Sequence, residues 1–136
     1  MAGLAVYLLD TNIFLELLLE QEESGSVRSL LTRTSPDELA VSDLAFHSIG
    51  IIVYQKNSAS LFSEFVRDLF GDGGIAILGL GSGDMARVEE VSTAFRLDFD
   101  DAYQYVTAEK FNLALVSFDA DFDRSDRKRL VPAQIR

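Results

Sequence analysis

The residues best placed to do chemistry are carboxylates that follow apolar runs. Asp10 ends Ala5-Val6-Tyr7-Leu8-Leu9, and Asp119 and Asp121 follow Leu113-Ala114-Leu115-Val116-Ser117. Asp98, Asp100 and Asp101 open a segment that turns apolar at Ala102-Tyr103. Acids that converge at one edge of a sheet repel one another, and their pKa values rise unless a cation joins them. Oxygen ligands select hard cations such as Mg²⁺ or Mn²⁺, which hold water and polarise phosphoryl oxygens. The spacing therefore points to a metal site. Acids at a helix start are also favourable on electrostatic grounds alone, which accounts for Asp98 and Asp100 without a site. Asp101 directly precedes the apolar face and is expected to point into the cleft.

These acids need elements to position them. An apolar run as short as residues 5–9 reads as a strand buried on both faces, the middle of a parallel sheet. Ligands of open α/β sheets gather at the carboxyl ends of such strands. Further strands are expected at residues 39–41, 75–78 and 113–117, with a short edge strand at Leu130-Val131. Helices are expected at residues 13–20, capped by Thr11 or Asn12, and at 26–33. After Ser42 as N-cap, Leu44, Ile49, Ile51, Ile52 and Val53 fill a helix to about residue 55, where Gly50 marks a close contact. A further helix, capped by Ser58 or Ser60, runs through residue 70 and is ended by Gly71-Asp72-Gly73-Gly74; helices then span 84–95 and 102–111, with an acidic loop at 118–126. The pattern βαα-βαα-βαα-β predicts an α/β fold: a three-layer α/β/α sandwich with a central parallel sheet of four to five strands, residues 1–136 forming a single domain.

The 136 residues are 48% hydrophobic, which excludes global disorder. Zero cysteines exclude disulfides and thiolate metal sites and fit a cytoplasmic protein. The first apolar run is too short to span a bilayer and lacks the basic flank of a signal peptide, so no membrane role is expected. A net charge of −10 disfavours passive binding to phosphate backbones. Nucleic acid could still enter a site whose carboxylates are neutralised by a divalent metal.

Other motifs give way on inspection. Asp119-Ala120-Asp121-Phe122-Asp123 opens like a calcium loop, but Arg124 stands at the position needing Gly and Leu130 at the one needing Glu. Gly79-Leu80-Gly81-Ser82-Gly83-Asp84 places its third glycine one position early for a dinucleotide fingerprint, and Asp84 would repel a pyrophosphate. A loop with unusual backbone angles is the expectation there. Asp10-Thr11-Asn12 lacks the second acid of a phosphatase turn. His47, the only histidine, lies one helical turn past Ser42-Asp43 and could be a core-edge residue, a neutral metal ligand or a base.

Together these pieces resemble the PIN domain family, the metal-dependent ribonuclease fold that includes VapC-type toxins. Leu9-Asp10-Thr11-Asn12-Ile13 is similar to its opening LDTN motif, Asp101-Ala102 to its DA motif at a helix start, and Val116-Ser117-Phe118-Asp119-Ala120-Asp121-Phe122 to its closing T-x-D-x-D-F motif. The resemblance implies an acidic pocket for one or two Mg²⁺ or Mn²⁺ ions. Asp10, Asp101 and Asp119 would be ligands and Asp121 a secondary ligand or water-holder. Thr11 and Ser117 would line the pocket, and Asn12 would fix the Asp10 loop. Water would attack a phosphodiester in line, the metal offsetting charge on the leaving oxygen. One departure stands out. The family carries Glu about five residues beyond a Ser on the helix after strand two, and counting from Ser42 lands on His47. This brings His47 into the expected catalytic set, with Mn²⁺ suiting imidazole better than Mg²⁺ does. Asp43 faces elsewhere on that helix.

Two functions follow. The first is a divalent-metal-dependent endoribonuclease acting on RNA, the toxin of a toxin–antitoxin pair silenced by a small antitoxin. The second is a catalytically degenerate PIN domain that binds RNA or protein without cleaving. A phosphoacceptor receiver domain is excluded because Val116-Ser117-Phe118-Asp119 offers no Lys. The resemblance also implies a homodimer; the apolar helix bearing Phe62, Phe65, Leu69 and Phe70 could lend some of them to it, but periodicity does not separate an interface from the core.

Overall fold

A computed structural model describes residues 5–71 and 74–135. The glycine-rich stop expected after residue 70 falls partly on Asp72 and Gly73, which lie outside the described residues. The elements run β1 (Tyr7–Leu9), α1 (Thr11–Leu18), α2 (Ser24–Arg33), β2 (Leu39–Ser42), α3 (Asp43–Gln55), α4 (Ala59–Phe70), β3 (Ala76–Leu78), α5 (Met85–Phe95), α6 (Phe99–Phe111) and β4 (Ala114–Val116). The four strands form one parallel sheet in the order β3-β2-β1-β4. Leu130 adds an isolated parallel bridge to Val116 in place of the expected edge strand.

Side chains alternate across the sheet. Leu9, Leu39, Val41 and Val116 join the core beneath α1–α4, while Leu8, Ala40 and Leu115 join the core beneath α5 and α6. The inner strands are thus buried on both faces, which is why they read as uninterrupted apolar runs. Continued one residue past each strand end, the same alternation puts Asp10 and Ser117 on the α6 side. The register Leu9↔Val116 then makes Asp10 and Ser117 neighbours.

Several expectations need correction. α1 starts at Thr11, and its N-cap is Asp10, whose carboxylate accepts from the Thr11 N–H at 2.7 Å. Ile51 is 59% exposed: Ile49 and Val53, one turn apart, already hold the inward face, and Ile51 lies roughly opposite them on the helix. α6 begins at Phe99, three residues early, because Asp98 caps it by accepting from the Asp101 N–H at 3.0 Å. The acidic loop contains a short 3-10 turn, Ala120–Arg124. None of Gly79, Gly81 and Gly83 takes a left-handed φ, and only Gly79 has a steric need for glycine: a Cβ there would stand 2.5 Å from Asp43 Oδ2, whereas one on Gly81 or Gly83 would meet nothing. Gly50 does mark a close contact, with Phe62 Cζ 3.1 Å from where a Cβ would sit. No described helix is long and apolar enough to cross a membrane.

Candidate metal centre

The site is built at the carboxyl ends of β1 and β4 and the first turn of α6. Asp10 is 6% exposed, so its charge depends on local donors. Oδ2 accepts from Ser117 Oγ at 2.7 Å, and Oδ1 accepts from the Thr11 N–H and from Gln104 Nε2 at 3.2 Å. Burial nevertheless pushes Asp10 above the usual carboxylate range. The bonds from Ser117, Thr11 and Gln104 pull it down, and the charge of Asp119 pushes it further up.

Ser117 is the hub of the site. Besides donating to Asp10, its hydroxyl oxygen accepts from Asn12 Nδ2 at 3.3 Å and from the Asp119 N–H at 2.9 Å. Asn12 Oδ1 accepts from the Phe118 N–H at 3.2 Å. Asn12 therefore ties the segment after β1 to the segment after β4. Thr11 meets Asp10 through its backbone N–H.

Asp101, Asp119 and Asp121 can each place one carboxylate oxygen within 4.8 Å of those of the other two. Burial and the charges of Asp119, Asp98 and Asp10 push the Asp101 carboxyl up to about 8. Like charges this close are stable together only with protons or a cation between them. Asp121 also pairs with Arg124 Nη1 at 2.8 Å. Arg124 is anchored to the carbonyls of Phe95 and Arg96, so the pair ties the Asp121 turn to the end of α5.

One expected residue lies elsewhere. His47 is exposed on α3, against the Phe46 ring, and lines an apolar groove of about 570 Å³ with Gly50, Ile51, Tyr54 and Phe62. It does not belong to the converging carboxylate group. Asp43 accepts from Tyr103 Oη at 2.7 Å, and Tyr103 Oη in turn accepts from the Leu80 N–H at 3.0 Å. It joins α3 to α6 and to the loop after β3.

Gln104 escaped the sequence reading. It is 2% exposed and lies one turn past Asp101 on α6. Its nitrogen serves Asp10, while its Oε1 is buried without a hydrogen-bond partner among the described residues. The only signal in the sequence was one amide in the run Ala102 to Ala108, every residue of which is buried.

The PIN domain model matches residues 7–128. This chain belongs to the PIN domain family. No curated protein matches the sequence. Among solved structures, a toxin–antitoxin complex from Klebsiella pneumoniae superposes with a TM-score of 0.75 at 18% identity, covering 95% of this chain and 99% of that one. A VapC toxin of Mycobacterium tuberculosis, described as cleaving the sarcin–ricin loop, gives 0.77 at 13% identity, covering 93% and 99%. FitAcB from Neisseria gonorrhoeae gives 0.75 at 18% identity, covering 96% and 100%. At these identities the likeness is one of fold. It places the PIN chain in the three-layer α/β/α architecture of VapC- and FitB-type proteins.

The residues fit a hard divalent cation. Three carboxylates converge, a fourth is buried beside them, and an orphaned amide oxygen lies next to that fourth acid.

Proposed function

We propose that this PIN domain, a single domain over residues 1–136, is a divalent-metal-dependent endoribonuclease and the toxin of a cytoplasmic toxin–antitoxin pair. The observation that carries the proposal is the convergence of Asp101, Asp119 and Asp121 in a pocket that lifts Asp101 to about 8. Asp10, Asp101 and Asp119, with Asp121 at the rim, would hold Mg²⁺ or Mn²⁺, which supplies Lewis acidity toward a phosphodiester. Ser117, Thr11 and Gln104 orient Asp10 and favour its charged form against the burial that raises it. Asn12 fixes the distance between the two strand ends. Family membership and the toxin–antitoxin complexes among similar structures support this role. An antitoxin, RNA and a second copy of the chain are the partners it calls for.

Position 47 favours a second possibility, a degenerate binding module. The resemblance expects Glu there, and the chain offers an exposed imidazole lying against Phe46. Calorimetric titration with Mn²⁺, wild type beside Asp10→Asn, separates the two at the first step. Cleavage of a mixed RNA pool with Mn²⁺ or Mg²⁺ follows. Wild type that binds no more metal than Asp10→Asn sinks the enzyme proposal. Metal binding without cleavage leaves the binding module.

A further inference from the structure

The chain carries a charge of −10, yet four of its twelve basic residues, Arg124, Arg127, Lys128 and Arg129, fall within residues 124–129. Two of them are engaged in holding the fold. Arg124 is tied to Asp121 and to the end of α5, and Arg127 Nη1 donates to the Leu113 carbonyl at 3.1 Å. The other two border a cavity of about 580 Å³ lined by Asp123, Lys128, Arg129, Val131 and Gln134. Lys128 is exposed and has no ion-pair partner among the described residues. Among the described residues Arg129 makes only long contacts, Nε to Asp123 Oδ2 at 3.4 Å and Nη1 to the Ser117 carbonyl at 3.4 Å.

That second contact fixes where the cavity lies. The hydroxyl of the same Ser117 donates to Asp10, so the cavity adjoins the carboxyl end of β4, where the acids meet. A single RNA strand carries a charge on every phosphate. When one phosphate enters the carboxylate pocket, the next must lie on the surface of a chain whose net charge is −10. Grooves for single strands meet this need with Lys and Arg along the backbone. Arginine binds phosphate through short paired hydrogen bonds, which would replace the long contact to Asp123.

We propose that Lys128 and Arg129 form a subsite for a phosphate of single-stranded RNA adjacent to the one held at the carboxylates. The proposal rests on the ribonuclease assignment but is tested apart from it. Binding of a labelled single-stranded oligoribonucleotide is followed by fluorescence anisotropy in EDTA across a salt series. Lys128→Glu is expected to weaken binding about tenfold or more at low salt. Lys128→Ala and Arg129→Gln are expected to reduce the slope of log affinity against log salt by about 0.7 each. Lys56→Ala, at the end of α3 remote from the sheet's carboxyl edge, serves as a control and should match wild type. The exposure of Lys128 makes its variants safe for folding, which circular dichroism verifies. Unchanged affinity and slope in the Lys128 and Arg129 variants overturn the subsite, as does a wild type that does not bind the RNA. Manganese-dependent cleavage by wild type is measured in parallel. Loss of slope without any cleavage keeps the subsite and removes the ribonuclease; cleavage with no loss of slope does the reverse.

Discussion

Ser117 Oγ donates to Asp10 Oδ2 at 2.7 Å, joining residues 107 positions apart in the chain. The bond exists because β1 and β4 are adjacent, in register, and end together. A hydrogen bond to a buried carboxylate is worth about 1.5–3 kcal/mol. Ser117→Ala also leaves Asn12 Nδ2 and the Asp119 N–H without their acceptor. The expected loss in urea unfolding is about 2–3 kcal/mol. Ser117→Thr, which keeps the hydroxyl, should recover most of it. An alanine variant as stable as wild type would show that the hub contributes nothing.

Asp101 makes stability depend on pH in an unusual direction. Its folded carboxyl titrates at about 8, whereas an unfolded one titrates near 4. Between these values the folded protein keeps a proton that the unfolded chain releases, so metal-free stability falls as pH rises through that window. Asp10, also raised, adds the same sign. In EDTA, Asp101→Asn should therefore have the higher Tm at pH 8 and a flatter profile between pH 5 and 8. Mn²⁺ at pH 8 should raise the Tm of wild type and leave that of the variant nearly unmoved. Parallel pH profiles for the two proteins would contradict the electrostatic account.

Asp43 and Gly79 offer a test by coupling. A Cβ on Gly79 would stand 2.5 Å from Asp43 Oδ2, and Asp43 is pinned by Tyr103 Oη at 2.7 Å and by the Leu44 N–H at 2.8 Å. Gly79→Ala must break the Tyr103 bond or shift the loop, costing about 2 kcal/mol or more. In an Asp43→Ala background the clash is gone, so the two losses should fall well short of additive. Additive losses in a chemical-denaturation cycle would mean that the close approach is not what requires glycine.

Much of this was legible in the sequence, and the misses have physical causes. The inner strands alternate between two cores and so appear as plain apolar runs, which gave away the sheet and the acids at its edge. Asp10 has two roles that one motif does not separate, since a carboxylate at a site and at the start of a helix also caps that helix. The exposure of Ile51 follows from helical phase, which an apolar stretch as dense as residues 49–53 hides. His47 matched a motif position by counting. Counting carries no side-chain direction, and the ring lies in the apolar groove between α3 and α4. Lys128 and Arg129 passed unnoticed because a net charge of −10 says nothing about where the positive charges cluster.

Gln104 is where stability and metal affinity should separate. Replacing it by Leu removes the Nε2 donor to Asp10, but it also removes a buried acceptor that has no partner among the described residues. An unsatisfied buried polar atom costs about 1–3 kcal/mol, comparable to the bond that is lost. The melting temperature of Gln104→Leu should therefore stay close to that of wild type. Metal binding has no such compensation. Without the amide, Asp10 loses a donor that favours its charged form, and groups hydrogen-bonded to a ligating residue are typically worth 10–100-fold in affinity. Calorimetry should show Mn²⁺ binding weakened by about that factor in a protein that melts normally. Equal Mn²⁺ affinity would mean that Gln104 is packing alone, and a large drop in Tm would mean that its bond to Asp10 outweighs its orphaned oxygen.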